Sequence, residues 1–481
     1  MDQDLGWWVR IALDDWQTRP GPRHRRITEA LAEAIERGLA DPGARLPAER
    51  PLADALRVGR GTVVRGYETL AEAGLVERRQ GAGTFIRPRP GWTHPPTPVA
   101  APVRRRLVAD ADALDLSLSV PAGTGHLPPV DGSFALSGND DHGLHPNGLP
   151  ELRTALADHL TAHVGLPTTP DQVIVTAGGR HALSLVFAAL VSPGRAVLTG
   201  CPGPPGLAAA VTAAGGRPIG VGVDPLGLDV AAVDRAAARL HAPVILAATA
   251  AHDPTGAPLG RLRRDNLLAV RRARNAVLVE DLAQTGLGLG PGREQAPDGT
   301  RPVPPAAADD DAVIAIGSLS RMFWAGLRVG WLRAPGSLRG YLAQASAVGA
   351  PAASVPAQVL ATRLLRAADT HWQVGLRGAL TERRDLLLEL LARQLPAWRV
   401  EPPQAGLSVW ADLPVGDSTT FVHLAARYGV LVVPGAAACV DGRHRRGVRL
   451  SFAESPATLE TAVDRLTAAW EEHTRRLAAS R

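Results

Sequence analysis

Apolar positions in the first ninety residues recur at helical spacing. Positions 27, 30, 31, 34 and 35 form one stripe, which predicts a helix over Ile27–Arg37. Two shorter helical segments follow, Glu49–Leu56 and Gly61–Ala73. The run Leu75–Ile86 contains a Gly-rich turn at 80–83 and predicts a short hairpin. Three helices followed by a hairpin predict a winged helix-turn-helix domain over residues 1–87.

Beyond residue 114, strand-like and helix-like runs alternate. Short apolar runs bounded by Gly, Pro, Asp or Ser predict buried strands at Gln172–Thr176, Ala196–Leu198, Val244–Ala248, Ala276–Val279 and Ala312–Ile316. Helical stretches such as Gly179–Val191 and Gly206–Ala214 lie between them. This alternation predicts an α/β domain with a mainly parallel sheet over residues 114–481, and about 375–470 form a smaller α+β subdomain. The Gly- and Pro-rich run Leu287–Asp311 predicts a long loop that either covers a pocket or is disordered.

A Pro-rich stretch, residues 88–113, separates the two predicted domains and contains the basic triplet Arg104–Arg106. The composition is that of a linker, although a long surface loop has the same appearance. The charge distribution changes at this place. Residues 1–107 hold 18 Arg and 13 acidic residues, whereas the remaining 374 hold 34 of each. The excess positive charge favours a module that faces nucleic acid or a membrane.

All 52 basic residues are Arg, and the chain contains no Lys. This composition excludes Lys as a Schiff-base partner, a catalytic base or a phosphate-binding ammonium. It also explains the sequence pI of about 10.1, because few groups lose protons between neutral pH and roughly 12. The high pI therefore says little about affinity for acidic partners.

The remaining composition predicts an ordinary intracellular protein. Cys201 and Cys439 are the only cysteines, which predicts neither a disulfide framework nor a zinc cluster, and no His, Cys or Asp spacing suggests a metal. The start lacks the basic and apolar regions of a secretory signal. Since no run of about 20 apolar residues occurs either, we expect a soluble, cytoplasmic protein that spans no membrane.

Several basic and small residues lie where a winged helix meets DNA. The start of a recognition helix reaches base edges in the major groove, whereas Arg residues beside the preceding helix contact phosphates. A small wing tip lets the backbone approach the minor groove. The predicted DNA-binding residues are Arg45, Arg50, Arg60, Thr62, Arg65, Gly81 and Gly83. For any single Arg, the alternative is an ordinary solvated charge.

Three segments, Pro42–Arg50, Arg60–Tyr67 and the wing Gly81–Phe85, resemble the GntR-type winged helix in order and spacing. The resemblance covers roughly residues 22–87 and implies binding to a double-stranded DNA operator. Gly59 departs from the family, which usually has Ser there, and this removes one phosphate contact.

The second domain resembles a fold-type I aminotransferase. The matching segments are Thr176–Ala182, Pro254–Gly256, Val279–Asp281, Ser318–Arg321, Gly326–Trp331 and Val448–Phe452. The two domains together resemble a MocR-type regulator, in which a GntR winged helix is fused to an aminotransferase-like domain that senses pyridoxal 5′-phosphate and often an amine.

This resemblance implies a role for each of eight pocket residues. Gly178, Gly179, Arg180 and Arg328 match the phosphate site, Asp281 the partner of the pyridine nitrogen, Arg449 the clamp for an effector carboxylate, Asp253 a usual Asn, and Arg321 the Schiff-base lysine. Independently of the resemblance, backbone N–H groups and the dipole at the start of a helix favour phosphate.

Three of the matched positions depart from the chemistry of the enzymes. Arg321 cannot form an aldimine, because a guanidinium stays protonated. The ring-hydroxyl Tyr is Ala283, and the stacking aromatic is Pro204, in an alignment that can shift by one residue. Three alternatives remain: the pocket binds pyridoxal phosphate non-covalently, binds another small anionic effector, or binds no ligand.

We therefore expect a homodimeric DNA-binding transcriptional regulator with a catalytically inactive aminotransferase-like domain. The alternatives are a pyridoxal phosphate-dependent enzyme and an architectural regulator that needs no ligand. The absence of Lys counts against the enzyme.

Overall fold

The computed structural model describes residues 4–19, 21–36, 39–41, 43–79, 81–87, 112–130, 142–290, 303–349 and 353–479. Nearly all of the predicted linker at 88–113, and the middle of the predicted loop at 287–311, lie outside the described residues. Contacts divide the chain into two compact units. The first comprises residues 1–113, 419–431 and 469–481, and the second comprises residues 114–418 and 432–468.

The first unit contains the winged helix. Its elements are α1 (Leu5–Trp7, continued by a wider turn over Trp8–Ala12), α2 (Arg23–Glu36), α3 (Glu49–Leu56), α4 (Arg60–Glu72), β1 (Val76–Arg79) and β2 (Gly83–Ile86). β1 and β2 pair antiparallel, which confirms the three predicted helices and the hairpin. α2 begins four residues before the predicted start, because its first turn is polar and carries no apolar periodicity.

The α1 segment was not predicted. The Asp4 side chain caps it by accepting a hydrogen bond of 2.7 Å from the Trp7 backbone N–H. Trp7 and Trp8 are buried against the winged-helix core, in the same cluster as Leu31 of α2. Two adjacent tryptophans outside any periodic stripe were the available signal, since aromatic side chains of this size are seldom left exposed as a pair.

The second unit is built on an eight-stranded sheet in the order β4-β11-β10-β9-β8-β5-β6-β7. The strands of the chain beyond the winged helix are β3 (Leu114–Asp115), β4 (Val173–Thr176), β5 (Ala196–Cys201), β6 (Arg217–Asp224), β7 (Gly227–Leu228), β8 (Val244–Ala247), β9 (Val277–Asp281), β10 (Ile314–Ser318), β11 (Gly330–Arg333), β12 (Arg399–Glu401), β13 (Ser408–Asp412), β14 (Val430–Leu431), β15 (Val433–Pro434) and β16 (Gly447–Ser451). β11 and β7 run antiparallel to their neighbours, and the other six strands of this sheet are parallel. The mainly parallel α/β architecture and all five predicted strands are confirmed.

Both faces of this sheet are buried. Along β4, Val173 and Val175 belong to one apolar cluster, and Ile174 between them belongs to another. Alternate residues of a strand point to opposite faces, so the two clusters lie on the two sides of the sheet.

The helices beyond the winged helix are α5 (Pro150–His159), α6 (Gly179–Leu190), α7 (Leu207–Ala213), α8 (Val230–Ala237), α9 (Arg261–Ala273), α10 (Gly336–Gly349), α11 (Val355–Ala367), α12 (Thr370–Gln394), α13 (Ser418–Arg427) and α14 (Pro456–Ala479). None of the helices in the described ranges has the length and apolar composition needed to cross a bilayer.

A second, antiparallel sheet has the order β12-β13-β16-β15 and includes Arg449 on β16. In the large sheet, the parallel strands all end at one edge. Asp281 ends β9, and short loops lead from β4, β8 and β10 to the predicted pocket residues. Ligands of open α/β sheets bind at this carboxyl edge, so the topology gathers the predicted pocket residues there.

Candidate functional site

The predicted DNA-binding residues lie in the first unit, on α3, on α4, in the hairpin and, for Arg45, in the segment before α3. α4 begins at Arg60, where the sequence predicted the start of the recognition helix to within one residue. Arg60 and Arg65 are exposed and Thr62 is half-buried, whereas Val63 and Tyr67 on the other face are buried in the core. The helix therefore presents its basic residues outward.

Arg60 has an intramolecular partner. Its guanidinium lies 3.1 Å from Glu49, which also pairs with Arg78 at 2.6 Å. The Arg60 side chain is 68% exposed. An exposed pair of this kind stabilises a protein by only about 0–1 kcal/mol, so phosphate or a guanine edge can displace Glu49 at little cost.

The wing is shaped by glycine. Gly83 has φ +115°, and a Cβ there would lie 2.8 Å from Nε of Arg45. Arg45 also forms an isolated β-bridge with Phe85, so its backbone pairs with the hairpin and its side chain lies against Gly83. Gly81, at φ +75°, completes the tight turn. The structure thus brings Arg45 to the wing, whereas the sequence had placed it only near the start of the second helix.

The candidate ligand pocket is organised around one buried carboxylate. Asp253 is 4% exposed and receives hydrogen bonds from Arg321 at 2.8 Å and from Arg449 at 3.1 and 3.2 Å. Burial alone would raise the pKa of Asp253, but the charges of Arg449 and then Arg321 outweigh it and hold the pKa well below its usual value. Asp253 is therefore ionised and neutralises one of the two guanidiniums.

The same two guanidiniums bind a segment that sequence reasoning missed. Arg449 donates a second hydrogen bond to the Ser117 carbonyl oxygen, and Arg321 donates one of 3.1 Å to the Ser119 carbonyl oxygen. No motif marks these serines, because the backbone rather than the side chain makes the contact. Arg449 was predicted to clamp an effector carboxylate, but the structure shows it already paired with Asp253 of the same chain.

A second part of the pocket, which we call the anion cradle, comprises Gly178, Arg180 and Arg328. Gly178 has φ +102°, a conformation that favours glycine, and it precedes α6, whose N–H groups open toward the carboxyl edge. Arg180 and Arg328 are exposed beside it, and within the described ranges neither guanidinium forms an ion pair with a carboxylate. Partial desolvation lowers the pKa of Arg180, and the positive charges of Arg321 and Arg328 act in the same direction. Three neighbouring cations without a full set of counter-ions favour an anion.

Asp281 completes the pocket at the end of β9. Its carboxylate accepts a hydrogen bond of 2.9 Å from the Ala283 N–H, and burial raises its pKa although Ala283 and Arg321 oppose the rise. The described contacts contain no ion pair between Asp281 and Arg328. The charge of Arg321 nevertheless acts on the pKa of Arg180, of Asp253 and of Asp281, so these residues of the predicted pocket are electrostatically linked.

The expectation that the two cysteines form no disulfide was wrong. Cys201 and Cys439 form a disulfide across 238 residues of sequence, with Cα atoms 5.2 Å apart. His444 lies beside them, and ligand atoms of the three side chains lie within 4.8 Å of one another. The sequence could not predict this cluster, because its members are far apart in the chain and no short motif joins them.

Comparisons with known proteins agree with the fold of both domains. Residues 23–86 match the family described as bacterial regulatory proteins, gntR family, and residues 126–466 match the family described as aminotransferase class I and II. The HTH-type pyridoxine biosynthesis transcriptional regulator PdxR of Corynebacterium glutamicum is 30% identical, over 79% of this chain and 81% of that protein. The probable rhizopine catabolism regulatory protein MocR of Rhizobium meliloti is 26% identical, over 93% and 94%. An archaeal alanine:glyoxylate aminotransferase structure is 25% identical, with a TM-score of 0.70, over 79% of this chain and 96% of that one.

Proposed function

The chain belongs to the MocR-type regulators, in which a GntR winged helix precedes a domain of the aminotransferase class I and II family, and from this premise we propose that it controls transcription in response to a phosphorylated anion bound non-covalently in the pocket. The observation that carries the proposal is the pocket charge. Arg180, Arg321 and Arg328 face one region, and the only carboxylate that pairs with any of them in the described ion pairs is Asp253, which Arg449 shares.

Pyridoxal 5′-phosphate is the first ligand to test, and the pocket residues fit only part of it. Arg180, Arg328 and the backbone at the start of α6 suit a phosphate dianion. Asp281 suits the pyridine nitrogen. Arg321 matches the position of the Schiff-base lysine, and the 481 residues contain no Lys. When bound, the cofactor would therefore supply a free aldehyde and a phosphate, held without a covalent link to a lysine.

The pairing of Asp253 with Arg449 refines the choice of effector. A ligand carboxylate would have to displace the buried Asp253 carboxylate from Arg449. Displacing a buried, doubly paired charge costs several kcal/mol. In the anion cradle, no carboxylate of the described residues forms an ion pair with Arg180 or Arg328. We therefore assign recognition to the phosphate end of the effector.

Control of DNA binding requires that the effector bind two arrangements of the protein with different affinity. We propose a homodimer in which two winged helices read two half-sites, as domains of this fold commonly pair through large interfaces. Sedimentation of the full-length protein with a selected operator tests this stoichiometry: two chains per operator are expected, and one chain would contradict the dimer.

A pyridoxal phosphate-dependent enzyme is the second candidate, favoured by the likeness to aminotransferase structures. Transamination by the purified protein that disappears in Asp281→Asn would establish the enzyme and overturn the proposal. A purely architectural regulator predicts no saturable binding of any metabolite by the full-length protein, so one saturable ligand excludes it.

Two substitutions, one in the recognition helix and one at the wing, test the proposed DNA contacts. Arg60→Ala should weaken binding to a selected operator about 10- to 100-fold and relax base preference, because an Arg fork to guanine discriminates by about 1–3 kcal/mol. Arg45→Ala, at the wing, should weaken all sequences alike and reduce the slope of log K against log salt by about 1. Selection from random duplexes, followed by salt titration, measures both effects.

The matched control for DNA binding is Arg274→Ala, which removes a surface Arg far along the sequence in the second unit. It should leave both base preference and salt slope unchanged. If Arg60→Ala and Arg45→Ala also leave operator binding unchanged, the assignment of α4 and the wing to DNA is wrong.

A further inference from the structure

The two cysteines of the chain lie on different sheets of the second unit. Cys201 ends β5 of the large sheet, and Cys439 lies in the loop that leads to β16 of the small sheet. The Cα separation of 5.2 Å is in the range that a disulfide needs. Both residues are buried, Cys201 at 3% and Cys439 at 8% exposure. They are the only cysteines in 481 residues, so each has only the other as an intramolecular partner.

Polar groups surround the two sulfur atoms. Oδ1 of Asp441 lies 2.9 Å from Sγ of Cys439 and 3.5 Å from Sγ of Cys201. In the reduced form, this carboxylate can accept a hydrogen bond from either thiol. Asp441 pairs with Arg443, and Nε2 of His444 lies 3.3 Å from the Cys201 carbonyl oxygen. These three residues form a polar shell around the sulfurs, and Arg443, with a side chain that is 65% exposed, extends into solvent.

The loop after Cys201 contacts the segment that carries the pocket residue Asp253. The Pro202 carbonyl oxygen lies 2.7 Å from Nε2 of the buried His252, and the next residue, Asp253, is the shared partner of Arg321 and Arg449. On the other side of the disulfide, the Ala438 carbonyl oxygen accepts a hydrogen bond of 2.6 Å from the Gly203 N–H.

The small sheet reaches the pocket from the Cys439 side. β16, which carries Arg449, begins eight residues after Cys439. The disulfide therefore connects the two backbone segments that hold Asp253 and Arg449 in place.

We propose that Cys201 and Cys439 are a reversible thiol–disulfide pair, and that its oxidation ties the loop after β5 to the small sheet and rigidifies the ligand pocket. The crosslink removes relative motion of the two segments, so the oxidised pocket pays less ordering entropy on binding. A protein that acts on DNA works in a reducing compartment, where protein disulfides are usually transient or redox-sensing. This regulatory role rests on the proposed function, but the formation of the disulfide does not.

Formation of the disulfide from two thiols requires a two-electron oxidant, and we propose hydrogen peroxide for this role. The Cys439 thiol, the more exposed of the two, first loses its proton, and its sulfur then attacks one peroxide oxygen. The O–O bond breaks, and the departing hydroxide takes a proton to form water. Cys201 sulfur then attacks the Cys439 sulfenic sulfur, the S–O bond breaks, and the second hydroxide takes the Cys201 proton. Two thiols and one peroxide give one disulfide and two waters, and a dithiol reductant reverses the reaction by exchange.

Thiol labelling of the full-length protein tests the pair directly. After reduction with dithiothreitol and its removal, denatured protein should accept two maleimide-polyethylene glycol labels per chain. After treatment with peroxide it should accept none and remain a single chain on a non-reducing gel. Cys439→Ser should accept one label before peroxide and form no intramolecular link. Two labels after peroxide, or a link between chains, would overturn the proposal.

Measurement of zinc content tests the alternative that the same residues bind a metal ion. Cys201, Cys439 and His444, with Asp441, also have the donor types of a tetrahedral zinc site. The reduced protein, incubated with zinc and dialysed, should retain no stoichiometric metal. One tightly held zinc per chain, released by peroxide, would replace the thiol–disulfide pair by a metal site.

Hydrogen exchange tests the link to the pocket without any ligand. Amides of peptides covering residues 252–257 and 447–451 should exchange about tenfold more slowly in the oxidised wild type than in the reduced one, because local opening is restricted. Cys201→Ser and Cys439→Ser should show no response to peroxide. Should either variant fail to fold, the two redox states of the wild type still give the comparison.

Equal exchange in the two redox states, with the disulfide formed, would overturn the coupling to the pocket. This result is distinguishable from failure of the proposed function, which would appear as absence of pyridoxal 5′-phosphate binding in both redox states.

Discussion

Asp253→Asn should lower the free energy of unfolding of the ligand-free protein by about 3–5 kcal/mol at neutral pH, because removal of one partner leaves a buried charge uncompensated. Asp253 is the carboxylate shared by Arg321 and Arg449, and Arg449 is itself only 5% exposed. Asn keeps the size of the side chain and removes only the charge. Urea denaturation, followed on the transition of the second unit, measures the change.

The difference between the wild type and Asp253→Asn should depend on pH in a defined direction. The pKa of Asp253 is lowered in the folded protein, so its stabilising effect is present above the unfolded value near 4. The effect is lost as the pH falls through the folded pKa. We therefore expect a constant difference above about pH 5 that shrinks under more acidic conditions.

A matched control separates burial from charge. Asp234→Asn also removes an Asp that pairs with one Arg, Arg274, but at the surface. It should change stability far less than Asp253→Asn does at every pH. Equal effects of the two substitutions, or a difference that grows in acid, would contradict the assignment of Asp253 as the buried counter-ion of the pocket.

The second large effect concerns the anion cradle. Arg328→Gln should weaken binding of pyridoxal 5′-phosphate about 30- to 1,000-fold, since loss of a charge-assisted contact to phosphate costs about 2–4 kcal/mol. The same substitution should not destabilise the ligand-free protein, because Arg328 has no ion-pair partner in the described ranges and repels Arg180. Loss of affinity without loss of stability is the signature of a residue placed for a ligand.

Titration calorimetry together with thermal unfolding measures this pair of effects. Arg339→Gln, which removes a surface Arg paired with Asp171, is the control and should leave affinity unchanged. If Arg328→Gln binds the ligand as the wild type does, or if it unfolds more readily in the absence of ligand, Arg328 has a structural role.

Most of the fold followed from periodicity. Buried strands such as β8 are continuous apolar runs between turn residues, and α4 has a complete stripe, so their type and position were predictable. β11 was not predicted as a strand, because its four residues include Gly and Arg and its pairing with β4 and β10 is set by tertiary contacts. The segment at residues 5–12 has no amphipathic repeat, and its helical state depends on burial of Trp7 and Trp8.

The resemblance to the aminotransferases supplied candidate pocket residues but not the contacts between them. It implied Gly178, Arg328 and Asp281, because each lies in a segment that matches that family. The pairing of Asp253 with Arg449 joins residues 196 positions apart, and no local rule specifies it. For the same reason, the prediction that the two cysteines form no disulfide was wrong. Cys201 and Cys439 are far apart in the sequence, and no local rule brings them together.

We propose that the pocket holds a phosphorylated ligand without a covalent bond. Equilibrium titration of the full-length protein with pyridoxal 5′-phosphate, followed by borohydride reduction and peptide mass mapping, tests this proposal. We expect saturable binding of one ligand per chain and no pyridoxyl group on any residue of the pocket. Absence of saturable binding, or a reduced pyridoxyl adduct on a pocket residue, would contradict it.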